Sequence, residues 1–162
     1  MPDKMPGRVH LIVDSTNRTL EASVELAGPP ERVFKALTSS EITEWWVRPG
    51  VFDTREWVGD LRPGGRWKAS GVSRGQPYVA TGEIVEAEPP KRLVHTWDGV
   101  AGPSSPSMLT YELERVANGT RLVLRQTGFA SEGACREFAA GWETSFTRLS
   151  QMLTMEPAGT AP

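Results

Sequence analysis

The sequence predicts an α+β fold, an antiparallel sheet packed on one long C-terminal helix, and three observations predict it. Apolar and polar residues alternate in short runs, as at Leu20, Ala22, Val24 and Leu26 and again at Leu109, Tyr111 and Leu113, the period of half-buried strands. Tight turn signals such as Arg62-Pro63-Gly64-Gly65 and Asn118-Gly119 separate those runs and join antiparallel neighbours. After Ser131 the apolar period becomes helical, through Ala134, Cys135, Phe138, Trp142, Phe146, Leu149, Met152 and Leu153 to about Met155. Helices gathered on one face of an antiparallel sheet define the class.

Taken in order, Arg8 to Val13 forms an edge strand, which Asp14-Ser15-Thr16-Asn17 turns into the clearer strand at Leu20 to Leu26. Gly28-Pro29-Pro30 ends it. Pro30 suits the first turn of a short helix with Val33, Phe34 and Leu37 on one side. Thr38 and Glu41 have the spacing of a capping box for a second short helix carrying Ile42, Trp45 and Trp46, which Pro49-Gly50 stops. Pro63-Gly64 fits a type II turn with Gly64 at positive φ, and the strand after it carries Trp67, Ala69 and Gly71 on one face. Tyr78 to Glu88 and Arg92 to Trp97 are further strands on either side of Pro89-Pro90, and Gly99 to Pro106 reads as a flexible loop. The Asn118-Gly119 hairpin leads to Thr120–Thr127, where Leu122, Leu124 and Gln126 share a face. The expected sheet has six or seven strands, and the helix from Ser131 to Met155 is roughly 35 Å long.

The 162 residues favour a single domain, here residues 8–155, with Pro- and Gly-rich tails at 1–7 and 156–162. Eighteen Lys and Arg against twenty Asp and Glu give a net charge of −2 without long runs of one sign. That pattern argues against a nucleic-acid partner or a polybasic membrane surface. No signal segment or long apolar span is present and Cys135 has no second cysteine to pair with, so a cytoplasmic setting is expected. Six of the thirteen aromatic residues are Trp, which points to a core built around large rings.

Gly64-Gly65-Arg66 lacks phosphate-loop spacing and leads into a strand, so it reads as a turn. His10, His95 and Cys135 show no metal-ligand spacing, and no metal or cofactor is expected. Cys135 falls on the apolar stripe of the long helix, where a packed thiol is inert. His95 shares a strand face with Leu93 and Trp97. It is either a polar contact within a cavity or a core histidine bonded to a carbonyl or water. Gln126 is a similar case, fixing a ligand or reaching solvent at the sheet's edge. Gly141 and Ser145 lie beside Trp142 on the inner side of the helix, where small residues leave a void or allow close packing.

The stretches Pro30-Glu31-Arg32-Val33-Phe34-Lys35-Ala36-Leu37-Thr38, Trp45-Trp46, Asp60-Leu61-Arg62-Pro63-Gly64-Gly65-Arg66-Trp67, Gly82 to Val85 with Pro89-Pro90 and Arg92-Leu93-Val94, Thr96-Trp97, and Gly141-Trp142 follow one another from about residue 20 to 153. In that order they resemble the activator of heat-shock protein 90 ATPase homologue-like family of the SRPBCC or START superfamily. The resemblance implies a helix-grip fold, a curved sheet around the C-terminal helix with a cavity between them. His95 stands where the family more often has an apolar aromatic. Fold alone does not choose an activity, since the superfamily includes lipid carriers, cyclases and hydroxylase components.

Three functions follow as expectations. The first is a domain binding a small apolar or amphipathic molecule, with Trp67, His95, Trp97, Gln126, Phe138, Gly141, Trp142 and Ser145 around the ligand and Trp45 and Trp46 at the entrance with the Gly99–Pro106 loop. The second is a cyclase or lyase in the same cavity with His95 as general base. The third is a co-chaperone-like interaction domain reading a partner through exposed aromatics. The edge strand makes a homodimer an expected assembly.

Overall fold

In the computed structural model, which describes residues 7–99 and 102–156, the described residues form one antiparallel sheet of nine strands. They are β1 (His10–Asp14), β2 (Thr19–Leu26), β3 (Val47–Arg48), β4 (Phe52–Gly59), β5 (Arg66–Ser73), β6 (Gln76–Glu88), β7 (Arg92–Gly99), β8 (Gly102–Val116) and β9 (Gly119–Thr127). Their order across the sheet is β1-β2-β9-β8-β7-β6-β5-β4-β3. Helices α1 (Pro30–Leu37) and α2 (Ile42–Trp45) connect β2 to β3, and α3 (Glu132–Thr154) ends the fold. Helix α3 touches β1 and β2 near one margin of the sheet and β3 at the other. A sheet that reaches one helix with both margins is curved around it, which is the helix-grip arrangement.

The alternating residues face inward as the strand period requires. Leu20, Ala22, Val24 and Leu26 of β2, Leu109, Tyr111 and Leu113 of β8, and Leu122 and Leu124 of β9 are all buried. The outer face is charged and paired across strands. Arg125 meets Glu21, and Arg121 meets Glu25 on one side and Glu114 on the other. Each of these pairs joins residues directly opposite in register, the arrangement in which opposite charges on neighbouring strands attract.

Several expectations are corrected. The sheet has nine strands rather than six or seven, because β4 before the Arg62–Gly65 turn is a further member and the two-residue β3 is too short to show any period. Residues 102–106 belong to β8 and Gly99 pairs with Gly102, so the expected loop is a long hairpin. Residues 100 and 101 of that loop lie outside the described residues. The capping box does not form. The Thr38 hydroxyl donates back to the Phe34 carbonyl at 2.7 Å, closing α1, and the Glu41 carboxylate accepts from Arg32 at 2.7 Å.

The N-cap of α3 does form, with the Ser131 hydroxyl accepting from the Ala134 N–H at 3.0 Å. The inner ends of both expected tails are tied down. Gly7 N–H donates to the Glu25 carbonyl at 2.8 Å and the Glu156 carboxylate pairs with Arg32. The remaining tail positions lie outside the described residues.

Candidate functional site

A pronounced hollow lies where α3 passes β3 to β7. Five of the six tryptophans build its floor and the layer behind it. Trp46, just past α2, is stacked on Trp97 of β7 with ring centroids 5.2 Å apart and meets Trp142 of α3 edge-on at 6.1 Å. Behind it Trp45 and Trp67 each meet the Trp46 ring edge-on at 5.9 Å. Edge-on and offset contacts suit the ring quadrupoles, so the cluster is stiff as well as apolar.

A cavity of ≈ 470 Å³ opens from this cluster, within the range of small-molecule sites. Trp46, Trp97 and Trp142 form its deep wall, and Phe138, Gly141 and Ser145 continue the wall along α3. Val51, Phe52 and Thr54 face them from β4 and the turn before it, and Ser73, Arg74 and Tyr78 come from the β5–β6 hairpin. Gly141 sits opposite the Phe52 ring, where a β-carbon would lie 3.7 Å from the nearest ring atom, so the glycine leaves space.

The hydroxyls of Thr54 and Tyr78 bond each other in this wall. Burial raises the Tyr78 hydroxyl's pKa, with the Thr54 bond opposing and nearby Asp53 adding to the rise. At the mouth, exposed Arg74 and Glu137 form an ion pair at 2.8 Å that bridges the hairpin and α3. Half-buried Arg48 completes the charged lining.

Of the residues expected around the ligand, Trp97, Phe138, Gly141, Trp142 and Ser145 line this cavity. Trp67, His95 and Gln126 face inward but lie one layer behind it. Trp67 and His95 both donate to the Thr96 carbonyl, each at 2.9 Å. A carbonyl only accepts, so the His95 proton sits on Nδ1. Burial lowers the His95 imidazole to about 4, with the Thr96 bond opposing, so the ring is neutral at pH 7. Gln126 donates to the Ser107 hydroxyl at 3.1 Å and accepts from the Trp142 N–H at 2.8 Å. It is fully buried rather than at a solvated edge.

The expected entrance is also corrected. Trp45 is fully buried, its N–H donating to the Ala36 carbonyl at 3.0 Å, and it joins α2 to α1. Trp46 is buried in the floor, and its N–H has no acceptor among the described residues. The opening lies instead beside Arg74 and Glu137, the exposed members of the lining. Sequence reasoning missed Arg48, Val51, Phe52, Thr54, Ser73, Arg74, Tyr78, Ala134 and Glu137. Tyr78 and Phe52 carried an aromatic signal that could have found them.

Cys135 is buried, its thiol donating to the Thr19 carbonyl at 3.4 Å, and desolvation pushes its pKa up, so it is not a nucleophile at neutral pH. Among the described residues no three His, Cys, Asp or Glu side chains converge as a metal site would require. No described helix is long and apolar enough to cross a membrane.

The sequence model of the family described as activator of Hsp90 ATPase homolog 1-like protein matches residues 27–154. Among curated proteins none matches the sequence. Solved structures are similar throughout. A Rhodobacter sphaeroides protein is 25% identical with a TM-score of 0.75, the match covering 92% of this chain and 99% of that one. A Mesorhizobium loti protein is 26% identical with a TM-score of 0.70, covering 86% and 99%. CalU16 from Micromonospora echinospora is 25% identical with a TM-score of 0.62, covering 91% and 86%.

Proposed function

The chain belongs to the activator of Hsp90 ATPase homolog 1-like family, and from that premise we propose that it binds a small apolar or amphipathic molecule between sheet and helix. One observation carries the reading, the ≈ 470 Å³ cavity floored by Trp46, Trp97 and Trp142. Apolar concavity with a few polar groups at its margin is the usual form of a ligand site. The proposal takes the chain as one domain over residues 8–155, cytoplasmic, with the β1 edge as the surface for a second copy.

The two other readings have less support. A His95-dependent enzyme needs its base at the reacting atoms, and His95 lies behind the cavity, held by the Thr96 carbonyl and packed 5.2 Å from the Trp67 ring. A docking domain of the co-chaperone kind needs exposed aromatics, yet among the described residues the large exposed apolar ones are Ile12, Val13, Val58, Val79, Val85, Met108 and Met155.

Native mass spectrometry of the purified protein, with titration of a fluorescent apolar probe, tests the proposal. A co-purified small molecule, or saturable one-to-one binding that quenches the indoles, is expected. A protein that carries nothing and takes up no probe overturns the reading.

A further inference from the structure

The cavity wall carries three charged side chains, Arg48, Arg74 and Glu137. Two of them cancel, because Arg74 and Glu137 are paired at 2.8 Å. The neighbouring carboxylate of Asp53 is also engaged, accepting from Arg55 at 3.3 Å. The hydroxyls of Thr54 and Tyr78 satisfy each other. Arg48 is the one charge of the described lining that remains, beside the unpaired N–H of Trp46. It is half-buried, it lines the cavity, and among the described residues it donates to no carboxylate, carbonyl or hydroxyl.

A guanidinium without an acceptor from the protein keeps its donors free for a ligand. Its planar fork of donors matches a carboxylate bidentately. Its backbone is fixed, since Arg48 pairs with Phe52 in the β3–β4 ladder. The charge is therefore held beside an apolar floor, which fits a ligand that is charged at one end and apolar for the rest of its length.

Building on the binding proposal above, we infer that the ligand is an amphiphile with one carboxylate, seated on Arg48 with its apolar body against Trp46, Trp97 and Trp142. A cationic head would face Arg48 with no free carboxylate to receive it. A dianion would bring a second charge that no unpaired cation of the wall meets.

The test compares decanoate, decanol and decyltrimethylammonium, each below its micellar concentration, by indole quenching and calorimetry on the full chain. Decanoate is expected to bind about tenfold or more tightly than decanol, the increment of a charge-assisted bond, and decyltrimethylammonium most weakly. Arg48→Gln should bring decanoate down to the level of decanol while leaving decanol unchanged, and Arg48→Lys should restore part of the difference. Melting curves of both variants check that the fold is retained. Equal binding of decanoate and decanol, or an Arg48→Gln loss shared by both, overturns the carboxylate assignment and leaves the cavity proposal standing. If none of the three binds, it is the cavity proposal that fails.

Discussion

The indole N–H of Trp142 donates to the side-chain oxygen of Gln126 at 2.8 Å, joining α3 to β9 through two buried side chains. The Gln126 amide in turn donates to Ser107 on β8 at 3.1 Å. One floor residue of the cavity is thus fixed in rotation by a polar pair inside an apolar core. Gln126→Leu should destabilise the protein by about 1–3 kcal/mol, the cost of leaving a buried donor unpaired, and should weaken probe binding by freeing the ring. In a Trp142→Phe background the same change should cost less, because no N–H is left to orphan. Denaturant unfolding of the four proteins measures this coupling, and additive losses would dissociate the two residues.

Acid should loosen the fold through His95. Its folded pKa of about 4 lies below the ordinary 6.5, so the unfolded chain binds a proton between those values and the folded chain does not. Stability from the neutral ring is complete above about pH 6.5 and falls as pH drops towards 4, by on the order of 3 kcal/mol. His95→Phe should flatten that part of the stability profile and leave probe affinity at pH 7 unchanged. An unaltered profile would assign the acid loss to other groups.

Gly141 tests whether the void is real space. Gly141→Leu should abolish probe binding with melting temperature held or raised, since the added side chain enters the cavity. Gly141→Ala should raise stability by about 1 kcal/mol through helix propensity; its methyl would meet the Phe52 ring at 3.7 Å, an ordinary contact. A sharp fall in melting temperature for the leucine variant would indicate a filled core, where overpacking costs about 1–3 kcal/mol.

The turn at Arg62–Gly65 separates two uses of glycine. Gly64 has φ +86° and open space around it, so Gly64→Ala should cost about 1 kcal/mol from backbone conformation alone. A β-carbon on Gly65 would lie 2.3 Å from the Asp60 carbonyl oxygen, so Gly65→Ala should cost distinctly more. Equal melting temperatures for the two variants would refute this distinction.

The sequence made the strands and α3 legible wherever one face is buried and the other is wet, because burial imposes a period. Val47–Arg48 is too short to show one. The α3 side of the cavity was readable in part for the same reason, since Phe138, Gly141, Trp142 and Ser145 follow the helical stripe of α3. The β4 side was not. A register shift between Thr54 and Glu56 changes which residues face inward, and simple alternation does not anticipate a bulge. Periodicity also reports direction without depth, which is why His95 and Gln126, although inward, stand behind the wall rather than in it.

The margins of the sheet differ in what they offer a neighbour. On one side β3 is two residues long, and beyond it the margin passes to β4, where the bulge and the charges of Arg55 and Glu56 blunt pairing. On the other side β1 offers five residues and exposes Ile12 and Val13. Among the described residues, strand addition therefore has a single competent end. Antiparallel pairing of one β1 with another about a twofold axis consumes that end in both partners, so association by this route terminates at two copies and has no way to propagate into a fibre.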